Sequence, residues 1–226
     1  MNFRYGYFAG GIILGIVWFG ILLLRKNLKK EIIFGSILGL PFGFSEFLFV
    51  PEYWNPPSLF ELIHRLGFGI ESLMFAFFVS GIASVLYETL FHKCLRRINT
   101  SYKTHILPYT LAISVFLLLE ILLPSKSIYN LTFSFLLAAS IVIINRQDLL
   151  PEIIVSGLTF GVFYFFLFLI FNWLFPDFIV RTYNLKNFIG LYVHGIPVEE
   201  VLFAFSVGTC WSSLYKYIKG YRLINC

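Results

Sequence analysis

Long stretches of this chain are apolar on every face. Ile12 to Leu24 and Phe160 to Phe171 contain no charged residue and show neither the alternation of a half-buried strand nor the polar stripe of a surface helix. A membrane β-barrel would alternate apolar and polar positions with period two, and this chain does not. Apolar segments long enough to span a bilayer as helices are predicted at 4–24, 31–50, 67–90, 106–123, 128–145, 152–175 and 190–215, with short polar connections. Gly35, Gly39 and Gly43, four apart, and Gly157 with Gly161 mark smooth helix faces where another backbone can approach closely.

Composition narrows the class further. Of 226 residues, 58% are hydrophobic and only 13% charged, against about a quarter charged in a soluble domain. The first span has basic residues after it rather than before it and no small-residue cleavage site, so it reads as a span and not a cleavable signal. Arg4, Arg65, Lys126, Arg181 and Lys186 fall on one side of the predicted topology, leaving twelve of the 17 Lys and Arg on the other. The positive-inside rule then predicts a multi-pass protein of the plasma membrane, N-terminus outside and C-terminus cytoplasmic. On this reading the net charge of +5 belongs to loops beside anionic lipid, and no nucleic-acid partner is expected. Three cysteines imply no disulfide framework, and His92 with Cys94 matches no zinc spacing, so no metal is expected. There is no phosphate-binding glycine loop, dinucleotide fingerprint or nucleophile elbow.

One stretch occurs twice. Ile70-Glu71-Ser72-Leu73-Met74-Phe75-Ala76-Phe77 returns as Val198-Glu199-Glu200-Val201-Leu202-Phe203-Ala204-Phe205, and Val79, Ser84, Leu86 and Tyr87 recur as Val207, Ser212, Leu214 and Tyr215. With equal orientation, spans one to three and five to seven form a parallel repeat joined by the fourth. The fold class predicted is all-α and membrane-integral, with about seven transmembrane helices in two three-helix repeats. The repeats cover 1–95 and 128–226, and 96–127 is a connector with its own helix. The loops ahead of the matching spans also correspond, each an aromatic-proline-acid exit carrying Trp54 or Trp173.

Ionisable residues at the front of two apolar segments are candidates for function. Glu71, Glu199 and Glu200 sit in first helical turns, where the helix dipole favours an anion; this is also an ordinary helix-starting arrangement. Neighbours on a helix point about 100° apart, so Glu199 and Glu200 do not both reach water easily, and one at least should enter the bundle. A carboxyl group in an apolar, aromatic setting tends to hold its proton and can act as a general acid. Phe75, Phe77, Phe203 and Phe205 lie within two turns of these acids, and ring faces stabilise cations. His194 is among the basic candidates on the same side.

The pattern Trp173-x-Phe175-Pro176, then Gly195-Ile196-Pro197-Val198-Glu199-Glu200-Val201-Leu202-Phe203 and a closing Tyr215, resembles the lycopene cyclase domain family of small membrane-integral carotenoid cyclases. The first copy departs from it: Gly69 stands for the proline and Ser72 for the second acid. This chain has the length of the family's fused form. The resemblance implies a redox-neutral ring closure of a long apolar isoprenoid of the carotenoid class, without a cofactor. It makes Glu199 and Glu200 the acid/base pair, with Glu71 as their repeat-related partner. Phe75, Phe77, Phe203, Phe205, Trp54, Trp173 and His194 are the expected substrate contacts. Besides the bilayer and the substrate, self-association is left open. Two alternatives stand beside the cyclase: a non-catalytic isoprenoid-binding scaffold, and a proton-coupled transporter.

Overall fold

A computed structural model describes residues 3–98 and 106–225. The described chain is overwhelmingly helical. Its long helices are α1 (Gly6–Leu24), α2 (Lys29–Phe44), α4 (Ile70–Leu90), α5 (Leu107–Leu122), α6 (Ser127–Asn145), α7 (Leu150–Leu174) and α9 (Val198–Lys219), with short α3 (Leu62–Leu66) and α8 (Phe178–Thr182) before α4 and α9. Five helical stretches are long and apolar enough to cross a membrane: Phe3–Leu24, Lys26–Leu48, Ile70–Leu90, Pro124–Asn145 and Gln147–Leu174. The other two predicted spans fall short for different reasons. Helix α5 has only 16 residues, while α9 has 22 but carries Glu199, Glu200, Lys216 and Lys219. The chain is a helical membrane protein by these lengths and compositions.

Helix α9 starts at Val198, later than the apolar run from 190 suggests. Residues 192–197 form a hairpin instead, β2 (Tyr192–Val193) against β3 (Ile196–Pro197). His194 (φ 50°) and Gly195 (φ 78°) form its two-residue turn, where two positive φ angles match the twist of the strands. Pro197 then precedes the first helical residue, and Gly220 in the left-handed conformation ends the helix after Lys216 and Lys219. Beyond α4 and α9, β1 (Lys93–Arg97) and β4 (Tyr221–Asn225) pair antiparallel around Leu95 and Leu223.

Close packing follows the small residues. A Cβ on Gly35 would lie 3.2 Å from the Ser80 carbonyl oxygen, and one on Gly43 2.8 Å from the Leu73 Cα, so α2 lies directly against α4. Gly157 faces Thr209 and Phe205, and Gly208 faces the Ser156 carbonyl, so α7 meets α9 in the same way. Trp211 of α9 reaches across to donate to the Gly35 carbonyl (3.3 Å).

At the β1–β4 end, Lys216 is fully buried among three carboxylates. Its Nζ lies 2.6 Å from Glu31 and 2.9 Å from Glu152, and it also pairs with Glu88. One expectation changes here. Lys216, one of the twelve cations assigned above to loops beside lipid, is not a loop cation but sits buried. Cys94 is disulfide-bonded, against the expectation of no disulfide, and Cys210 is a buried free thiol. The expected loop cation Lys103 and Cys226 lie outside the described residues.

Candidate functional site

A cleft opens between the helices at the end opposite the Lys216 cluster. It encloses about 1280 Å³ of space free of atoms, counted out to its mouth. Residues of α1, α2, α4, α6, α7 and α9 line it, together with the loops before α4 and α9. Its walls are mainly aromatic: Phe42, Phe49, Phe75, Phe135, Phe168, Phe171, Phe178, Phe203, Trp54 and Trp211. Two carboxylates, Glu46 and Glu200, and four phenols, Tyr7, Tyr53, Tyr164 and Tyr183, are the main polar groups in the lining.

The two acids of α9 part company. Glu200 faces the cleft, accepts a hydrogen bond from the Tyr53 hydroxyl, and has Tyr164 Oη at 3.5 Å from its other oxygen. Glu199 turns away: its Oε1 accepts from the Ile189 amide and from the Tyr129 hydroxyl, both at 2.7 Å. Glu71 does the same in the first half, accepting from the Leu59 amide at 2.6 Å. Both Glu71 and Glu199 are buried, and each ties the loop ahead of its helix to the first turn. Neither lines the cleft. At the position matching Glu200, Ser72 does line it, and its Oγ accepts from the Gly69 amide at the start of α4 (3.2 Å).

Of the expected contacts, the structure brings Phe75, Phe203 and Trp54 to the cleft. Phe77 packs on Trp18 and Phe78, and Phe205 covers Gly157. Trp173 is 79% exposed on the outside of α7, and His194 sits exposed in the hairpin turn. Glu46 was not singled out from sequence. It lies in a turn of 3₁₀ helix after α2 (Ser45–Leu48), buried, with Ser72, Trp54 and Tyr7 beside its carboxyl. Its signal was an ionisable residue alone in the apolar run Phe42 to Val50.

The phenols are held in a ring network. Tyr53 meets Tyr183 edge-on at 5.4 Å and stacks on Phe188 at 5.4 Å, while Tyr7 meets Trp54 edge-on at 4.8 Å. Burial, with Tyr164 and Glu46 nearby, holds the Tyr183 phenol well above its ordinary pKa, so it stays a neutral donor. Main-chain bonds lock the loops over the cleft: the Asn55 amide donates to the Thr182 carbonyl (2.7 Å) and the Asn184 amide to the Tyr53 carbonyl (2.9 Å). An apolar, aromatic cleft with a few oriented oxygens can take a long apolar molecule and shelter a cation within it.

No curated protein and no solved structure matches the chain. Residues 126–218 match the family described as lycopene cyclase, which supports a lycopene cyclase domain over this part of the chain.

Proposed function

We propose that this protein closes an end ring on an acyclic carotenoid by acid/base carbocation chemistry within the membrane, a redox-neutral isomerisation that uses no cofactor. The observation that carries the reading is the buried Glu200 carboxyl, set by Tyr53 at the wall of an aromatic cleft inside the matched domain. In this scheme Glu200 gives its proton to the terminal alkene. The neighbouring alkene attacks the cation to form the ring, and loss of a proton leaves a cyclic end group. Aromatic faces stabilise the cation, and the apolar walls offer few groups to hold a water that would trap it as an alcohol.

We also infer that the cleft lies between two copies of one three-helix unit, 1–95 and 128–226, joined by a connector at 96–127. Matching helix ends support this. Gly6–Leu24 and Ser127–Asn145 are both 19 residues long, and Lys29 and Leu150 open the helices that follow. Matching bonds support it too. Arg25, after the first helix of one unit, donates to the Lys93 carbonyl (2.7 Å), and Arg146, after the first helix of the other, donates to the Tyr221 carbonyl (3.1 Å). Strands β1 and β4 pair about Leu95 and Leu223, and the loops pair about Trp54 and Tyr183. The strand pairing joins like with like, as a two-fold axis along the membrane normal requires. On this alignment all seven long helices cross the membrane.

The test is expression in a bacterial host that accumulates acyclic lycopene, with extraction of the pigments. The parent protein should give cyclic carotenoid. Glu200→Gln keeps the shape of the side chain but has no acidic proton, and should lower the yield by about 10²–10⁴-fold at equal protein level. A parent protein that leaves lycopene unchanged would reject the cyclase reading in favour of a binding scaffold.

A further inference from the structure

The proton lost in ring closure leaves from a different carbon than the one that gained it, so an acceptor placed elsewhere along the cleft can complement Glu200. We propose that Glu46 is that proton acceptor, the catalytic partner of Glu200. The assignment rests on the cyclase reading above.

Three observations converge on Glu46. The first is placement: it lines the same cleft as Glu200, is 7% exposed, and its Oε1 has no hydrogen-bond partner among the described residues. The second is elimination. Glu71 and Glu199 each hold a loop amide through one oxygen, leave the other without a partner among the described residues as Glu46 does, and are set apart by not lining the cleft. Glu120 is held by Ser127 and Asn130, and Glu31, Glu88 and Glu152 surround Lys216 at the far end. The third is the repeat. Ser72 occupies the position of Glu200 in the first unit. Counting forward from the matched acids Glu31 and Glu152, Glu46 corresponds to Leu167, which also lines the cleft. Each unit therefore presents one acid, from a different helix, where strict symmetry would present two alike. Ser72 Oγ already accepts from the Gly69 amide, which leaves its own hydrogen free to be donated to Glu46.

The cycle balances without an oxidant or reductant. The Glu200 O–H bond breaks as a C–H bond forms at the terminal alkene, using its π pair. A second alkene pair forms the ring C–C bond. A C–H bond beside the new cation then breaks, its pair becomes the ring double bond, and the proton passes to Glu46. Return of that proton to Glu200, by way of the cleft phenols or solvent, resets the site.

The experiment uses membranes carrying the full chain, supplied with acyclic carotenoid in D₂O, and reads ring product and deuterium in the recovered acyclic pigment. Glu46→Gln should lose ring product by about 100-fold or more. Its recovered acyclic pigment should nevertheless gain deuterium at the terminal alkene, because Glu200 still gives and retrieves its proton. Glu200→Gln should lose both signals. Glu46→Asp, with its carboxylate one methylene back, should cyclise slowly while labelled acyclic pigment builds up, and it decides the matter if the Gln variant does not fold. Ring closure at the parent rate in either Glu46 variant overturns the assignment, as does a folded Glu46→Gln protein that loses labelling together with ring closure. A parent protein that forms no ring rejects the cyclase reading itself, and the two failures are distinct.

Discussion

Glu199 and Glu200 are adjacent in sequence and chemically identical, yet the fold gives them different surroundings. One side chain bonds to the amide of Ile189, the other to a phenol in the cleft. The sequence indicated that at least one of them enters the bundle, because neighbours on a helix diverge by about 100°. It did not indicate which, because that depends on where the loop carrying Ile189 folds back. The same limit applies to the two tryptophans: Trp54 is drawn inward by the pairing with Tyr183, while Trp173 points outward from α7. A glutamine at 199 or 71 keeps an oxygen able to accept the loop amide. Glu199→Gln and Glu71→Gln should therefore retain cyclisation to within about tenfold of the parent, well above the loss at Glu200→Gln. Pigment yield normalised to folded protein checks this, and equal losses at 199 and 200 would return Glu199 to the acid/base step.

At the scale of helices, far more was legible. Unbroken apolar runs place α1, α2, α4, α6 and α7 within a few residues of the predicted spans, because a lipid-facing helix must be apolar along its whole length. The start of α9 was misplaced, since a short hairpin of Tyr, Val and Ile reads as a continuation of the apolar helix until the turn at His194-Gly195 is recognised. The glycine spacing forecast contact between helices, but the partners came only from the fold. Gly39 and Gly20 make a direct comparison. A Cβ at Gly39 would come within 2.7 Å of the Ala76 carbonyl oxygen, whereas nothing lies within 4 Å of one at Gly20. Gly39→Ala should destabilise by about 1–3 kcal/mol through forced separation of α2 and α4. Gly20→Ala should be neutral or slightly stabilising, as alanine favours helix. Thermal unfolding in detergent, followed by circular dichroism, separates the two outcomes.

For the molecule as a whole, the Lys216 cluster is the main polar tie between the two proposed units. It joins α2 and α4 of one to α7 and α9 of the other with no exposure at Lys216, Glu31 or Glu88. Removing one member of a buried ion pair leaves an uncompensated charge and costs about 3–5 kcal/mol. Glu88→Lys and Lys216→Glu should each reduce the yield of folded protein sharply. Because 88 and 216 are equivalent positions in the proposed repeat, flanked by the equivalent acids Glu31 and Glu152, the double exchange Glu88→Lys/Lys216→Glu should recover most of it. Size-exclusion profiles of the four proteins decide the point, and no recovery in the double variant would argue against the repeat.

In the proposed repeat, that exchange of sign between otherwise matching positions would give the two units separate identities. Two copies of the first would bring Glu31 and Glu88 together twice over, four carboxylates with no ammonium, in a place from which water is excluded. Two copies of the second would set two carboxylates against two ammoniums. In the proposed repeat, the first unit would be unable to mate with itself at this surface, and the buried lysine would work as a matching rule that admits the second unit and refuses another first. On that proposal, a cleft with one acid from each side would follow from the pairing itself, since the only partner the first unit would accept is the one that carries Glu200.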